Sequence, residues 1–531
     1  MFSDADLVTF LDQGYLLIDP KTESSLPRQL FEEAADAWAA RDQMQGSRFA
    51  LDALADNLTT RIPALHQLLD ADPVVEALTG VLGERYFRYP HNFIHQAGSD
   101  DQGFHKDSHF PWSVRGGLRS HRPNWAMLLY YPQETSVDMG PTQIIPGSQY
   151  WNVDHEGHEV GEDLLDLRFN ADKVGTNPDL SERDERLAET VHGFDAQTSS
   201  MPITVPAGTA VLTHFDLVHR GSRKNSDQER FMYKFWYLRT TEPKHTGRTI
   251  SLSCTDLRRE PVVASVAEWL SGNRPSVPNR SKPDTEATDE AERIEQAYQR
   301  GFECDATLAE ALLSEDESTR RAAMYGLTVA GGLGAEAAML ATQSNHAGIR
   351  KSGAFLLGEL AFGDTEVIAT LGRLVAEDAM RDVRCTALNA LGRIARYQLS
   401  RNPAFELSGI IDALTVGSDR DREPDTQGFV LATSPVRQST AIALLNIVTA
   451  AIDAGAAKDA IAPIATILQR MATSDTDRYA RGTAVEGLCR LALGSEDSVL
   501  PTLIEQLSAQ YAHTPPARRM DSPVDQRIAR D

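Results

Sequence analysis

Cysteine is scarce. Four in 531 residues, Cys254, Cys304, Cys385 and Cys489, stand far apart and form no C-x-x-C pair. That excludes a disulfide framework and a cysteine-held structural zinc, and predicts a reducing compartment. Basic charge is short as well. The chain carries 52 Lys and Arg against 76 Asp and Glu, a formal net charge of -24. So acidic a balance disfavours nucleic acid and anionic membranes as partners. No apolar run reaches the length of a membrane span. The opening Met1-Phe2-Ser3-Asp4 is acidic where a secretory leader would be basic and then apolar. A cytoplasmic protein is the expectation.

The chain is too long for one comfortable core, so two or three domains are expected. Its texture changes along the way. Residues 4 to 12, 27 to 44 and 62 to 83 have apolar residues at helical spacing, with Gly14 closing the first run and Tyr15-Leu16-Leu17-Ile18 reading as a strand. From Tyr86 onward the pattern is of short strands with Gly and Pro turns: Tyr86 to His95, Trp125 to Tyr131, Gly140 to Ser148, Ile203 to Val205, Gly208 to Thr213 and Arg230 to Tyr237. Such a series predicts a double-stranded β-helix, a cupin-like jelly roll with flanking helices. The charged stretch 152 to 200 shows little period and reads as an insertion or lid.

Within the strand-rich part, His105 and Asp107 stand two residues apart in Phe104-His105-Lys106-Asp107-Ser108-His109. On a strand that spacing turns both side chains to one face. A second imidazole delivered from a distant strand would complete two histidines and one carboxylate on one side of a metal, the facial set of non-haem iron(II) oxygenases. His219 is the candidate, with His214 the competitor. An H-x-D alone is common, and weight comes from Arg230, eleven residues after His219. It is expected to return on a neighbouring strand beside the metal, where its planar fork suits a carboxylate. Further candidates for substrate contact are His109, Trp112 and Trp125. Lys106 should face away by alternation. Arg115, Arg119, Arg122 and Arg220 make the region locally basic, which favours an anionic or zwitterionic small molecule.

Residues 267 to 291 carry prolines and polar groups and read as a linker. Beyond them the strand signal vanishes and a repeat appears. Arg350, Gly353, Leu357 and Gly358 share offsets with Arg384, Ala387, Leu391 and Gly392, and Arg320, Arg437 and Arg481 open similar runs. Small residues at +3 let helices approach and the leucine at +7 fills a shared core, so 292 to 514 reads as an all-α solenoid of HEAT-like repeats. The tail 515 to 531 should be mobile. The oxygenase-like part would then span 1 to 266.

With these elements in order, residues 1 to about 250 resemble the phytanoyl-CoA dioxygenase family of iron(II)- and 2-oxoglutarate-dependent oxygenases. The likeness rests on the helix into Gly14-Tyr15, His105-x-Asp107, Gly140 through Ile145-Pro146-Gly147-Ser148, and His219 with Arg230. It implies that His105, Asp107 and His219 hold iron(II) and that Arg230 holds the far carboxylate of 2-oxoglutarate. It also implies that Asn92, thirteen residues before His105, lies near the co-substrate. Oxygen would be consumed, and succinate and carbon dioxide released. The family's Pro-Gly-Ser-His becomes Pro146-Gly147-Ser148-Gln149 here. Halogenating relatives carry a small residue where Asp107 stands, so hydroxylation of a small metabolite is the expectation. Two alternatives stay open. The solenoid could recruit a protein or carrier-bound substrate or mediate a homodimer, or the chain could be an inactive scaffold.

Overall fold

The computed structural model describes residues 2–43, 58–107, 121–153, 179–245, 250, 257–272, 285–298, 307–420, 434–494 and 499. The expected tail lies outside them. Two antiparallel sheets face each other in the N-terminal half. The larger runs in the order β1 (Tyr15–Ile18), β6 (Thr209–His214), β3 (Trp125–Tyr131), β8 (Phe231–Leu238) and β2 (Phe87–Gln96). The smaller runs β5 (Met201–Pro202), β4 (Thr142–Ile144) and β7 (His219–Gly221). Alternation sorts the large sheet into two layers. Leu128, Tyr130, Leu212, Tyr233 and Phe235 pack outward beneath the N-terminal helices. Met127, Leu129, Val211, Met232 and Trp236 point inward and meet Ile144 of the small sheet. This is the jelly-roll sandwich expected from the strand series.

The first helix, Asp4–Gln13, is opened by a Ser3–Asp6 capping box and stopped by Gly14 at φ 82°. A β-carbon on Gly14 would lie 2.5 Å from Gln149 Oε1, so the turn needs glycine for space as well as for backbone freedom. The helix expected over 62 to 83 breaks into Leu58–Arg61, Leu65–Leu69 and Asp72–Leu82. Pro63 interrupts it, and Pro73 sits at the start of the last piece. In the stretch read as an irregular lid, 154–178 lie outside the described residues, but Leu180–Phe194 is a helix. Asp179 caps it, and its buried face is Arg183, Leu187 and Val191. A buried arginine on that face hid the period. The expected linker is helical at both ends, because Glu260–Leu270 runs into it and Thr285–Tyr298 begins inside it.

After residue 284 every regular element among the described residues is helical. Ala347–Leu360, Arg381–Leu399, Pro435–Ala454 and Arg478–Leu493 pack side by side in one layer. Thr365–Glu377, Ser408–Asp419 and Lys458–Ser474 form a second. The repeated glycines mark close approach. A β-carbon on Gly358 would meet Ala390 Cα at 2.7 Å, and one on Gly392 would meet Ala443 Cα at 2.8 Å. The repeated arginines share a task. Arg320, Arg350, Arg384 and Arg481 each donate from Nη1 to the carbonyl six residues back, those of Ser314, Ser344, Asp378 and Asp475. Each thereby ties the turn before its own helix. Arg437 reaches Arg420 O instead, across the stretch 421–433.

These helices are built against the barrel. Ile442, Leu445 and Tyr479 belong to the inward-facing core of the sheets. Tyr479 stacks on Tyr89 at 5.7 Å. Arg122 pairs with Glu359 at 2.7 Å, and Arg396 with Glu242 at 2.7 Å. His121 stacks on Tyr298 at 5.0 Å.

Candidate metal centre

His105 and His219 meet through the backbone. The N–H of each donates to the carbonyl of the other, both at 2.9 Å, a single antiparallel bridge. Directly opposed residues put their side chains on the same face, and the ring centroids lie 4.5 Å apart. His105 and Asp107 are therefore not on a continuous strand as expected. One bridge to β7 does the positioning. Each Nδ1 lies 2.9 Å from a carbonyl two residues earlier, Gly103 O and Leu217 O. A carbonyl only accepts, so both Nδ1 atoms carry the proton and both Nε2 lone pairs are free to ligate. Burial, with the neighbouring His105 ring and the Lys234 ammonium adding to it, pushes His219 down to about 3 against the pull of Asp107. A neutral ring is the form that can ligate a metal.

Asp107 closes the triangle. Its Oδ1 lies 3.7 Å from His105 Nε2 and its Oδ2 3.9 Å from His219 Nε2. The three ligand atoms lie within 4.8 Å of one another. These separations are too long for hydrogen bonds and suit a shared cation with metal–ligand bonds of ~2.0–2.2 Å. Burial works to raise the Asp107 carboxyl, but Lys234 and the two imidazoles outweigh it and hold it well below the usual carboxylate range. Lys234 Nζ forms an ion pair with Asp107 Oδ2. It projects from β8 in the large sheet, across the sandwich. Lys106 turns away, as alternation predicted, and donates to Trp151 O at 3.1 Å.

The segment behind the triad is pinned. Ser148 Oγ accepts from Val218 N at 2.9 Å, and Ile145 N donates to Val218 O at 3.0 Å, fixing the residue before His219. Gln149, where the resembling family has histidine, donates to Leu11 O at 3.0 Å at the end of the first helix. His214, the competing candidate, does not join this cluster among the described residues. Its Nε2 faces His121 O at 3.1 Å and its Nδ1 accepts from Asp216 N at 3.1 Å.

Arg230 does not return beside His219 in one sheet as expected, since β7 and β8 lie in different sheets. It reaches the same interior from the opposite wall. Its Nε and Nη2 donate to Gly140 O, while Nη1 is buried with no hydrogen-bond partner among the described residues. Burial lowers its pKa, with Tyr131 opposing. Asn92 pairs with Phe235, which faces the helices. It therefore occupies the strand face opposite to Phe93 and Lys234, and the structure does not bring it to the triad. Trp125 is inward but pairs with Leu238, roughly 13 Å along β8 from Lys234 at the usual strand rise. There it packs against Tyr89, Phe215 and Trp236. His109, Trp112, Arg115 and Arg119 lie outside the described residues. The other two arginines read as locally basic are engaged. Arg122 pairs with Glu359, and Arg220 donates to Gln143 Oε1 at 2.6 Å.

Comparisons with known proteins match the N-terminal part of the chain. The phytanoyl-CoA dioxygenase (PhyH) family model matches residues 1–232. An L-proline trans-4-hydroxylase from Streptomyces griseoviridis is 26% identical over 225 residues, 40% of this chain and 80% of that protein. Among solved structures, HygX from Streptomyces hygroscopicus with nickel and 2-oxoglutarate bound aligns at 15% identity and TM-score 0.32, over 45% of this chain and 87% of HygX. EctD from S. alaskensis with bound Fe aligns at 18% identity and TM-score 0.32, over 45% and 77%.

Lys234 and His95 were missed by reading the sequence. A lysine among Phe231, Met232, Tyr233, Phe235, Trp236 and Tyr237 was the available signal. No described helix is long and apolar enough to cross a membrane.

Proposed function

We propose that this chain is an iron(II)- and 2-oxoglutarate-dependent oxygenase that hydroxylates an unactivated C–H bond of a small anionic or zwitterionic metabolite. The observation that carries this reading is the convergence of two Nε2 lone pairs and a buried carboxylate within 4.8 Å. The family match and the proline hydroxylase relative support the same chemistry. Iron(II) held there would supply, with 2-oxoglutarate and oxygen, the oxidising power for the C–H bond, the 2-oxoglutarate ending as succinate and carbon dioxide.

The chain's own residues bind and orient. His105, Asp107 and His219 would hold iron(II) from one side, which would leave its other side to co-substrate and oxygen. The orphan Nη1 of Arg230 is the donor for the distal carboxylate of 2-oxoglutarate, a charge-assisted bond in a water-poor interior. Lys234 holds one carboxylate oxygen of Asp107 and so favours ligation through the other. Asp107 fills the position a halide would need, which favours hydroxylation over halogenation. The helical half is proposed as a HEAT-like solenoid whose inner layer seals one end of the barrel through Ile442, Leu445 and Tyr479.

Anaerobic titration of iron(II)-loaded protein with 2-oxoglutarate tests the centre. A weak visible charge-transfer band is expected, and His105→Ala should remove it. Its absence from the metal-loaded wild type would end the reading. Succinate formation with a panel of free amino acids, L-proline first, then tests the substrate class.

A further inference from the structure

β2 carries a buried imidazole that the ligand set does not use. Its register against β8 places it closely. Phe93 pairs with Lys234 and His95 with Met232, while Ala97 N donates to Arg230 O at 3.0 Å. His95 thus stands midway, two residues along the strand from the level of Lys234, which bonds the ligand Asp107. It is also two residues from the level of Arg230. Met232 is inward-facing, and a residue directly opposite shares that face. The Nε2 atom of His95 is buried and has no hydrogen-bond partner among the described residues. The ring feels the charges of Lys234, Arg230 and Asp107 and lies within reach of His219. Burial and the two cations push it down to about 3, so it is neutral.

A neutral imidazole keeps one N–H. An unanswered polar atom in a dry interior is destabilising until a ligand supplies a partner. We propose that His95 donates a hydrogen bond from Nε2 to the distal carboxylate of 2-oxoglutarate, sharing that group with Arg230. This inference rests on the oxygenase reading. His95 adds direction without adding charge, whereas Arg230 supplies the charge. Together they would recognise a dicarboxylic 2-oxo acid and discriminate against one lacking the second carboxylate. His95 is a binding residue for the co-substrate and holds no proton in flight.

The experiment reads the charge-transfer band anaerobically in iron(II)-loaded wild type, His95→Ala and His95→Gln, with 2-oxoglutarate and separately with pyruvate. Losing one hydrogen bond to a charged oxygen should raise the 2-oxoglutarate Kd of His95→Ala about tenfold or more. His95→Gln, whose amide restores a donor, should recover most of that loss. Pyruvate, lacking the distal carboxylate, should bind wild type and His95→Ala alike. A Kd for His95→Ala within about twofold of wild type would overturn the inference, as would an equal loss for pyruvate. A wild type that takes up iron and gives no band with 2-oxoglutarate would instead fail the oxygenase reading, and this inference with it.

Discussion

Asp101 and Asp107 leave β2 on one segment, six residues apart, and both are buried, yet their surroundings differ in kind. Asp101 is enclosed by cations at bonding distance. Arg183 Nη2 lies at 2.6 Å, Arg223 Nη1 at 2.5 Å, and the Arg223 backbone N–H adds a third bond at 2.8 Å. Asp107 has one ammonium and two imidazoles held 3.7 and 3.9 Å away. Each of those imidazoles is pinned from behind, so its lone pair stays free. The first carboxylate is finished by the protein. The second stands in a triangle with two imidazole nitrogens, all within 4.8 Å of one another. Burial alone would have marked both as functional, and distance separates them.

The sharpest way to break that contrast is to remove Asp101. Asp101→Ala would leave the buried Arg183 without its carboxylate partner and Arg223 with Asp184 alone. Breaking a buried pair in this way should cost about 3–5 kcal/mol of stability. Arg183 anchors the Leu180–Phe194 helix and Arg223 follows β7, so the loss should loosen both. Chemical denaturation of the metal-free protein measures it. A cost below about 1 kcal/mol would mean that the arginine cluster is solvated and structurally idle, and the contrast would lose its first half.

Lys234→Met addresses the other half. Supporting partners of metal ligands typically change metal affinity by about 10–100-fold. The variant should therefore bind iron(II) more weakly by about that factor, with the charge-transfer band still reached at saturating metal. Anaerobic metal titration reads the affinity. Unchanged or tighter binding would show that the ammonium merely occupies the metal's electrostatic place, and that Asp107 is a ligand without support.

Much of this arrangement was legible in the chain. The H-x-D spacing and the distal histidine picked out three side chains that the fold does bring together, although the pair sits on one backbone bridge and not on the strand expected, and Arg230 comes from the opposite sheet. The spacing worked because the local geometry at His105 is still extended and paired. The arginine period of the helical half was visible too. Its reason was not, because a guanidinium tying a turn is a contact made only once the helix exists. What stayed hidden depends on register between strands distant in sequence. Lys234 and His95 point inward, and Asn92 outward, according to how β2 meets β8, and a shift of one residue would exchange them. Counting thirteen residues from Asn92 to His105 crosses the irregular stretch 97–104, which severs spacing from facing. The irregular look of 180–194 has a different cause, an arginine buried by its ion pair with Asp101 where an apolar residue would normally show the period.

Ser148→Ala should produce the smallest effect and tests whether the backbone alone holds the open site. The hydroxyl accepts from Val218 N, one residue before His219. Removing it strands one buried N–H, at a cost of about 1 kcal/mol. Two features should confine the damage. Ile145 N still donates to Val218 O, and the reciprocal bonds between His105 and His219 are untouched. The ligand atoms should therefore keep their triangle, and iron affinity should fall by no more than about twofold, well short of the Lys234 variant. Thermal unfolding and metal titration on the same preparation separate the two quantities. Near-normal stability with a large loss of iron binding would mean that the bridge does not position His219 by itself, and that Asp107 and its imidazoles are held as closely by side chains as Asp101 is by its arginines.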